Sequence, residues 1–189
     1  VGFVKIVTEF LGRPLTRLWG TNPRLLRRGA ASWQNRAVHE QVTRPDGSVV
    51  RLGDPDTLLL NEILQHPSHY QTLAAYLKKR ERYTLRDAEE MLETGFDRVG
   101  KPVGDPLRSP FATIRFLFER ALKQFVRLFF KKRGFLDGWQ GWLWCVLSAQ
   151  YEYLMCRKYL MLRRRETGRQ QPEKPRGPRA STGTIGNRQ

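Results

Sequence analysis

The chain has 189 residues, 40% of them hydrophobic and 28% charged, with a net charge of +16 and two cysteines. That length suits one domain with a sizeable core, and two cysteines outside any CxxC, with no histidine nearby, give no basis for a disulfide framework or a metal site. So basic a balance points to a polyanion, either nucleic acid or an anionic membrane surface.

The excess charge is concentrated late in the chain. Ten basic residues face two acidic ones from Arg157 to the end, and seven face one across Arg115–Arg133. At the other end, Val1–Leu11 is interrupted by Lys5 and Glu9 and has no small-residue cleavage site, so it is not a signal peptide. It reads as a sequence entered partway through. Phe3, Val4, Val7, Phe10 and Leu11 have helical spacing, which Gly12 and Pro14 end. Arg24–Arg28 and Ser32–Val42 read as short strands around a turn at Gly29. Pro45-Asp46-Gly47 signals a turn, and Val49–Leu52 and Thr57–Leu64 read as further strands.

Helices follow. Ser68 with Gln71 three residues on has capping-box spacing and starts a helix that runs to about Thr94, with Gly95 as its stop. Its charged run, Lys78–Arg82, reads as a solvated face. Gly100–Pro110 is a proline- and glycine-rich linker. From Phe111, apolar residues including Ile114, Phe118, Leu122 and Phe125 share one helical face, with Arg120, Lys123, Arg127 and Lys131 opposite. Phe116 and Phe130 fall on or beside the basic face. Gly134–Gly138 turns the chain into a third helix, Trp139–Leu162. No charge-free apolar run there reaches the roughly 18 residues a spanning helix needs. Trp139, Trp142 and Trp144 suit the headgroup level, and a basic amphipathic helix can lie in the interface. Cys145 and Cys156 read as buried free thiols in a reducing compartment. Thr167–Gln189 reads as a disordered basic tail without the arginine-glycine repeats of an RNA binder.

Four segments in order resemble bacterial family 2 glycosyltransferases that extend lipopolysaccharide cores and related envelope glycans. They are Arg24-Leu-Leu-Arg-Arg-Gly-Ala-Ala-Ser-Trp; Val38-His39-Glu40; Leu64–Tyr70 leading into Tyr76–Lys79, Arg82-Tyr83 and Ala88–Gly95; and Lys132–Gly141 continuing to Ser148-Ala149 and Tyr151. The Gly-Phe-Leu-Asp-Gly-x-x-Gly string of the fourth is the most specific. The resemblance covers roughly residues 10–165. It implies an α+β fragment, mainly α: residues 1–66 as the C-terminal remnant of a GT-A catalytic domain, 67–100 as a long helix, 101–165 as an amphipathic, membrane-associating extension and 166–189 as the tail.

The resemblance also implies the chemistry: transfer of a sugar, with inversion, from a nucleotide-sugar donor to a glycan acceptor, lipid-linked or lipopolysaccharide. A carboxylate would act as base, and Mg²⁺ or Mn²⁺ would offset charge on the leaving diphosphate in the complete enzyme. The metal ligands belong to an Asp-x-Asp in the missing half. Asp54-Pro55-Asp56 has those letters but lies in a turn after the Val-His-Glu element, and His66 and His69 flank Pro67 and need not share a face, so no metal site is read here. Glu40 is the candidate base. Arg24, Arg27, Arg28 and His39 are candidates for binding diphosphate or an anionic acceptor, because guanidinium matches such oxygens. The complete enzyme would sit peripherally on the cytoplasmic face of the inner membrane. The alternative from another class is a non-enzymatic basic helical protein binding RNA or anionic membrane; it accounts for the charge but not for the ordered motifs, which weigh against nucleic acid.

Overall fold

A computed structural model describes residues 1–34, 41–66, 72–98 and 100–170. The first element is a strand, β1 (Gly2–Phe10), where apolar spacing predicts a helix. Two features explain the difference. The segment is rich in β-branched residues, which suit a pleated surface. Register shifts at Gly2/Phe3 and between Phe3 and Lys5 also break the simple alternation of a strand. The buried positions become Phe3, Ile6 and Phe10, a spacing of three and four that imitates a helix.

β1 pairs with three strands. β2 (Arg13–Pro14) meets it antiparallel at Glu9 and Phe10, and β3 (Gly20–Leu25) antiparallel over Gly2–Ile6. β6 (Leu58–His66) runs parallel to it from Gly2 to Thr8. The expected hairpin around Gly29 does not form: β3 ends at Leu25, and Arg27 and Arg28 lie in a turn closed by Ala30 N–H donating to the Arg27 carbonyl. β4 (Ser32–Trp33) instead pairs with β5 (Val42–Thr43). The Pro45-Asp46-Gly47 turn is present, with Gly47 at φ +83°. Val49–Leu52 adds only a single bridge, Thr43 to Val49, rather than a strand.

α1 (Leu73–Thr94) is capped by Thr72, whose hydroxyl accepts from the Ala75 N–H, and stops at Gly95 in the left-handed region as expected. The expected capping pair, Ser68 and Gln71, lies outside the described residues. α2 (Pro110–Val126) has Ser109 as cap and Pro110 in its first turn. It widens into a π-type turn (Arg127–Lys131), and a 3₁₀ turn (Gly134–Asp137) leads into α3 (Gly138–Gln170). α3 continues past Leu162 through 166–170, where the tail was expected to begin. Helix-forming residues Leu162–Glu166 carry it on, and Thr167 bonds back to the Arg163 carbonyl. The fold is α+β and mainly α.

One core joins sheet to helices: Phe10, Leu15 and Leu18 from the β1–β3 segment meet Tyr76, Leu128, Cys145 and Leu147. A second holds the helices together, with Ala88 and Met91 of α1 against Met155, Cys156, Tyr159 and Leu160 of α3. A third, smaller cluster places Phe3 against Val42 and Val50.

Candidate functional site

The expected anion-binding arginines lie at the surface. Arg24 lies near the end of β3, Arg27 and Arg28 in the turn beyond it, and all three are exposed. His39 and Glu40 lie outside the described residues. Asp54 and Asp56 are claimed by an arginine. Arg44 Nη2 stands 2.7 Å from Asp54 Oδ2 and 2.6 Å from Asp56 Oδ1, and its Nε donates to Asp56 Oδ2 at 3.0 Å. These bonds hold both carboxyls below the usual carboxylate range. One guanidinium thus bridges both carboxylates as a clip across the loop. Among the described residues no group of three or more His, Cys, Asp or Glu could hold a metal ion.

The Gly-Phe-Leu-Asp-Gly-x-x-Gly string has a physical explanation. Asp137 is buried, and its carboxylate accepts from the Thr16 hydroxyl and from the Arg17 N–H. A Cβ at Gly134 would stand 2.7 Å from Cys145 Sγ and 2.9 Å from the Leu128 carbonyl oxygen. One at Gly141 would stand 2.1 Å from the Gly134 carbonyl oxygen. Gly138 sits at φ +73°, a region that favours glycine. The string is thus a close-packed corner that ties the strands to the helices. Beside it, Trp19 is approached by two ammonium groups, Lys5 at 5.5 Å and Lys132 at 5.2 Å from ring centres. Burial and Arg127 push the Lys132 ammonium below its ordinary range.

A charged seam between the helices escaped sequence reading. Tyr151 O–H donates to Asp87 Oδ2 at 2.6 Å. Arg98 bonds Glu152 and stands 4.0 Å from Asp87, with its guanidinium 5.3 Å from the Tyr151 ring centre. Arg120 pairs with Asp97 at 2.8 Å. Asp87, Asp97 and Glu152 are all buried. Such pairs leave no periodic signal; the available hint was an acidic residue recurring within apolar helical stretches. Burial, then the bond to Asp87, push the Tyr151 phenol up. The seam opens into a groove of about 720 Å³ beside α2, lined by Arg98, Lys101, Arg108, Arg115, Arg120 and Lys123 among others.

The apolar face of α2 is divided. Leu117 and Phe116 face inward, Phe116 with its ring 5.5 Å from Tyr159. As expected, Phe116 also lies beside the basic face: it lines the basic groove, and the Arg120 guanidinium covers its ring at 5.8 Å. Phe111, Ile114, Phe118 and Leu122 face solvent, with Phe111 74% and Leu122 64% exposed. Trp139 and Trp142 are also exposed, at 60% and 51%. Trp144 differs from both. It is half-buried with its ring 5.1 Å from Phe10 and 5.8 Å from Tyr76, so it serves the core rather than an outer surface. No helix of the described residues is long and apolar enough to cross a membrane.

Comparison with protein-family models, with curated proteins and with solved structures finds no match to this chain.

Proposed function

We propose that this chain is the C-terminal part of a GT-A sugar transferase that moves a sugar, with inversion, from a nucleotide-sugar to a lipid-linked or lipopolysaccharide acceptor at the cytoplasmic face of the inner membrane. The ordered resemblance motivates the reading, and β6 is the observation that carries it. β6 runs parallel to β1 yet leaves Leu58 and Ile63 more than half exposed, with Leu59 and Leu64 also exposed. Parallel strands are ordinarily covered on both faces. Among the described residues β6 pairs with β1 alone. A sheet in that condition fits one part of a larger α/β sheet, whose remaining strands and helices would bring the nucleotide site.

In this reading Glu40 takes the proton of the acceptor hydroxyl as it attacks the sugar. Arg24, Arg27, Arg28 and His39 meet diphosphate or an anionic acceptor, and the close-packed corner at Gly134–Gly141 holds the helices against the strands. The resemblance assigns the divalent metal's ligands to an Asp-x-Asp in the nucleotide-binding half.

The test has two arms. The purified chain is incubated with a panel of nucleotide-sugars and Mg²⁺ or Mn²⁺, and no donor turnover is expected. The same chain, joined in frame to the coding sequence upstream of it, should hydrolyse or transfer one donor. Turnover by the chain alone would show that it is not a partial enzyme. A joined protein inert toward every donor and acceptor would overturn the transferase reading.

A further inference from the structure

We propose that the outward face of α2, continued by Trp139 and Trp142 of α3, docks on an anionic phospholipid bilayer, with lipid phosphates held along the basic groove that flanks the same helix. This goes beyond sugar transfer and does not depend on it.

The first argument is geometric. Phe111, Ile114, Phe118 and Leu122 follow one another at three- and four-residue steps, so they form one stripe about 16 Å long. Their inward neighbours already fill the interface with α3, so this stripe is not spare core surface. At their exposures the four side chains leave on the order of 500 Å² of apolar surface bare, at the upper end of what monomers leave uncovered. Phe118 packs 5.4 Å from Tyr153, which carries the stripe across to α3. Past the end of α2, Phe130 is 60% exposed, and at the start of α3 Trp139 and Trp142 are exposed as well.

The second argument is charge. The groove along the flank of α2 contains four acidic residues, and each is engaged: Asp97 by Arg120, Glu152 by Arg98, Glu119 by Arg115 and Lys123, and Asp105 by Arg163. That leaves Lys101, Arg108 and Arg127 with no carboxylate partner among the described residues. The Arg127 guanidinium donates to the Gln124 side-chain oxygen at 2.8 Å. A stripe of large apolar groups beside cations without counter-charges is what an interfacial helix presents: acyl chains take the stripe and phosphates take the flank. Tryptophan belongs at that depth, its ring apolar and its N–H wet. A protein partner would not need the surplus of cations, and RNA would have no use for a stripe containing leucine and isoleucine.

Flotation with vesicles of phosphatidylcholine alone, and of phosphatidylcholine with phosphatidylglycerol, tests the proposal on the full chain. The chain should float with anionic vesicles far better than with neutral ones, and salt should weaken but not abolish this, because the apolar part is insensitive to screening. Phe118→Asp with Leu122→Asp alters exposed positions, so the circular dichroism and melting temperature should hold while vesicle affinity falls about tenfold or more. Lys101→Glu with Arg108→Glu should cut the preference for anionic vesicles by about tenfold and leave the weak neutral binding alone. Three outcomes would overturn the proposal. One is indifference to vesicles with steeply salt-dependent RNA binding. A second is unchanged flotation of a folded Phe118→Asp/Leu122→Asp variant. The third is a stable dimer, dispersed by that variant, that ignores vesicles. A chain that floats but never transfers sugar, even when joined to its upstream sequence, would leave this inference standing while the transferase reading fell.

Discussion

The Asp137 carboxylate clasps the backbone of Arg17, 120 residues away: the Arg17 N–H donates to Oδ2 at 2.9 Å and to Oδ1 at 3.1 Å. The Thr16 hydroxyl adds a third bond to Oδ1 at 2.9 Å. Arg17 follows the β1–β2 hairpin, and Asp137 ends the 3₁₀ turn before α3. One buried carboxylate therefore fixes where the strands end relative to where the last helix begins. Asp137 belongs to the Gly-Phe-Leu-Asp-Gly string, which gives that string a structural reason for its composition whatever reaction the complete protein performs.

Removing the clasp should be costly. Asp137→Ala removes a buried carboxylate that accepts from the Arg17 N–H and the Thr16 hydroxyl, and bonds to a charged group contribute more than neutral ones. The expected loss is about 2–4 kcal/mol in urea unfolding, and Asp137→Asn, which keeps one acceptor oxygen, should lose about half as much. A shift in the Asp137→Ala midpoint equivalent to less than about 0.5 kcal/mol would mean that the corner is held by packing alone.

Packing makes its own prediction a few residues on. Gly141→Ala would drive a methyl group into the Gly134 carbonyl oxygen, which stands 2.1 Å from the ideal Cβ position. The obstacle is backbone and cannot swing aside, so the expected cost is about 3 kcal/mol or more. Gly168→Ala is the control within the same helix. Nothing stands within 4 Å of its Cβ position, so it should stabilise by roughly 0.5–1 kcal/mol through helix propensity. Equal melting temperatures for the two variants would contradict the close approach.

The helices were legible because their signals are local: Gly95 as a stop and the apolar stripe from Phe111 are read within a few turns of chain. β1 was not, because its bulges move the buried residues onto a helix-like period. The amphipathic face of α2 was visible in the periodicity, but which half of it meets α3 depends on α3, so Phe118 was not separated from Leu117. The arginine expectation rested on residue type and proximity in sequence, and the strand it assumed at Arg24–Arg28 ends at Leu25, ahead of a turn at Arg27–Ala30. Asp137 with Thr16 and Asp87 with Tyr151 are single polar residues matched over 121 and 64 positions, and no window of sequence contains both members of either pair.

The candidate base makes a prediction for the joined enzyme. Glu40→Gln removes the proton acceptor while keeping size and hydrogen bonding, so the transfer rate should fall about 10²–10⁴-fold with donor affinity nearly unchanged. A fall of less than about threefold would place the base elsewhere.

Alkaline pH should unfold this chain through its thiols. Burial, then the charge of Asp137, push Cys145 up to about 11, and burial pushes Cys156 up to about 12. An unfolded chain would ionise both near 8.5. Above that pH the folded state holds protons that the unfolded state has released, so stability falls as pH rises, by roughly 1.4 kcal/mol per unit for each thiol until its folded pKa is passed. The Tyr151 phenol, raised by burial and by Asp87, adds the same sign above about 10. Below pH 8 none of these groups contributes a slope. Urea midpoints measured from pH 7.5 to 10.5 should therefore hold at first and then drop, and the drop should flatten in a Cys145→Ala/Cys156→Ala variant compared at each pH with the parent. The comparison removes the lysines, which titrate in the same upper range in both proteins. The same burial predicts that neither thiol reacts with an alkylating reagent at pH 8 until the chain is unfolded. Prompt labelling of the folded chain, or parent and variant falling in parallel, would show that the thiols do not carry the alkaline transition.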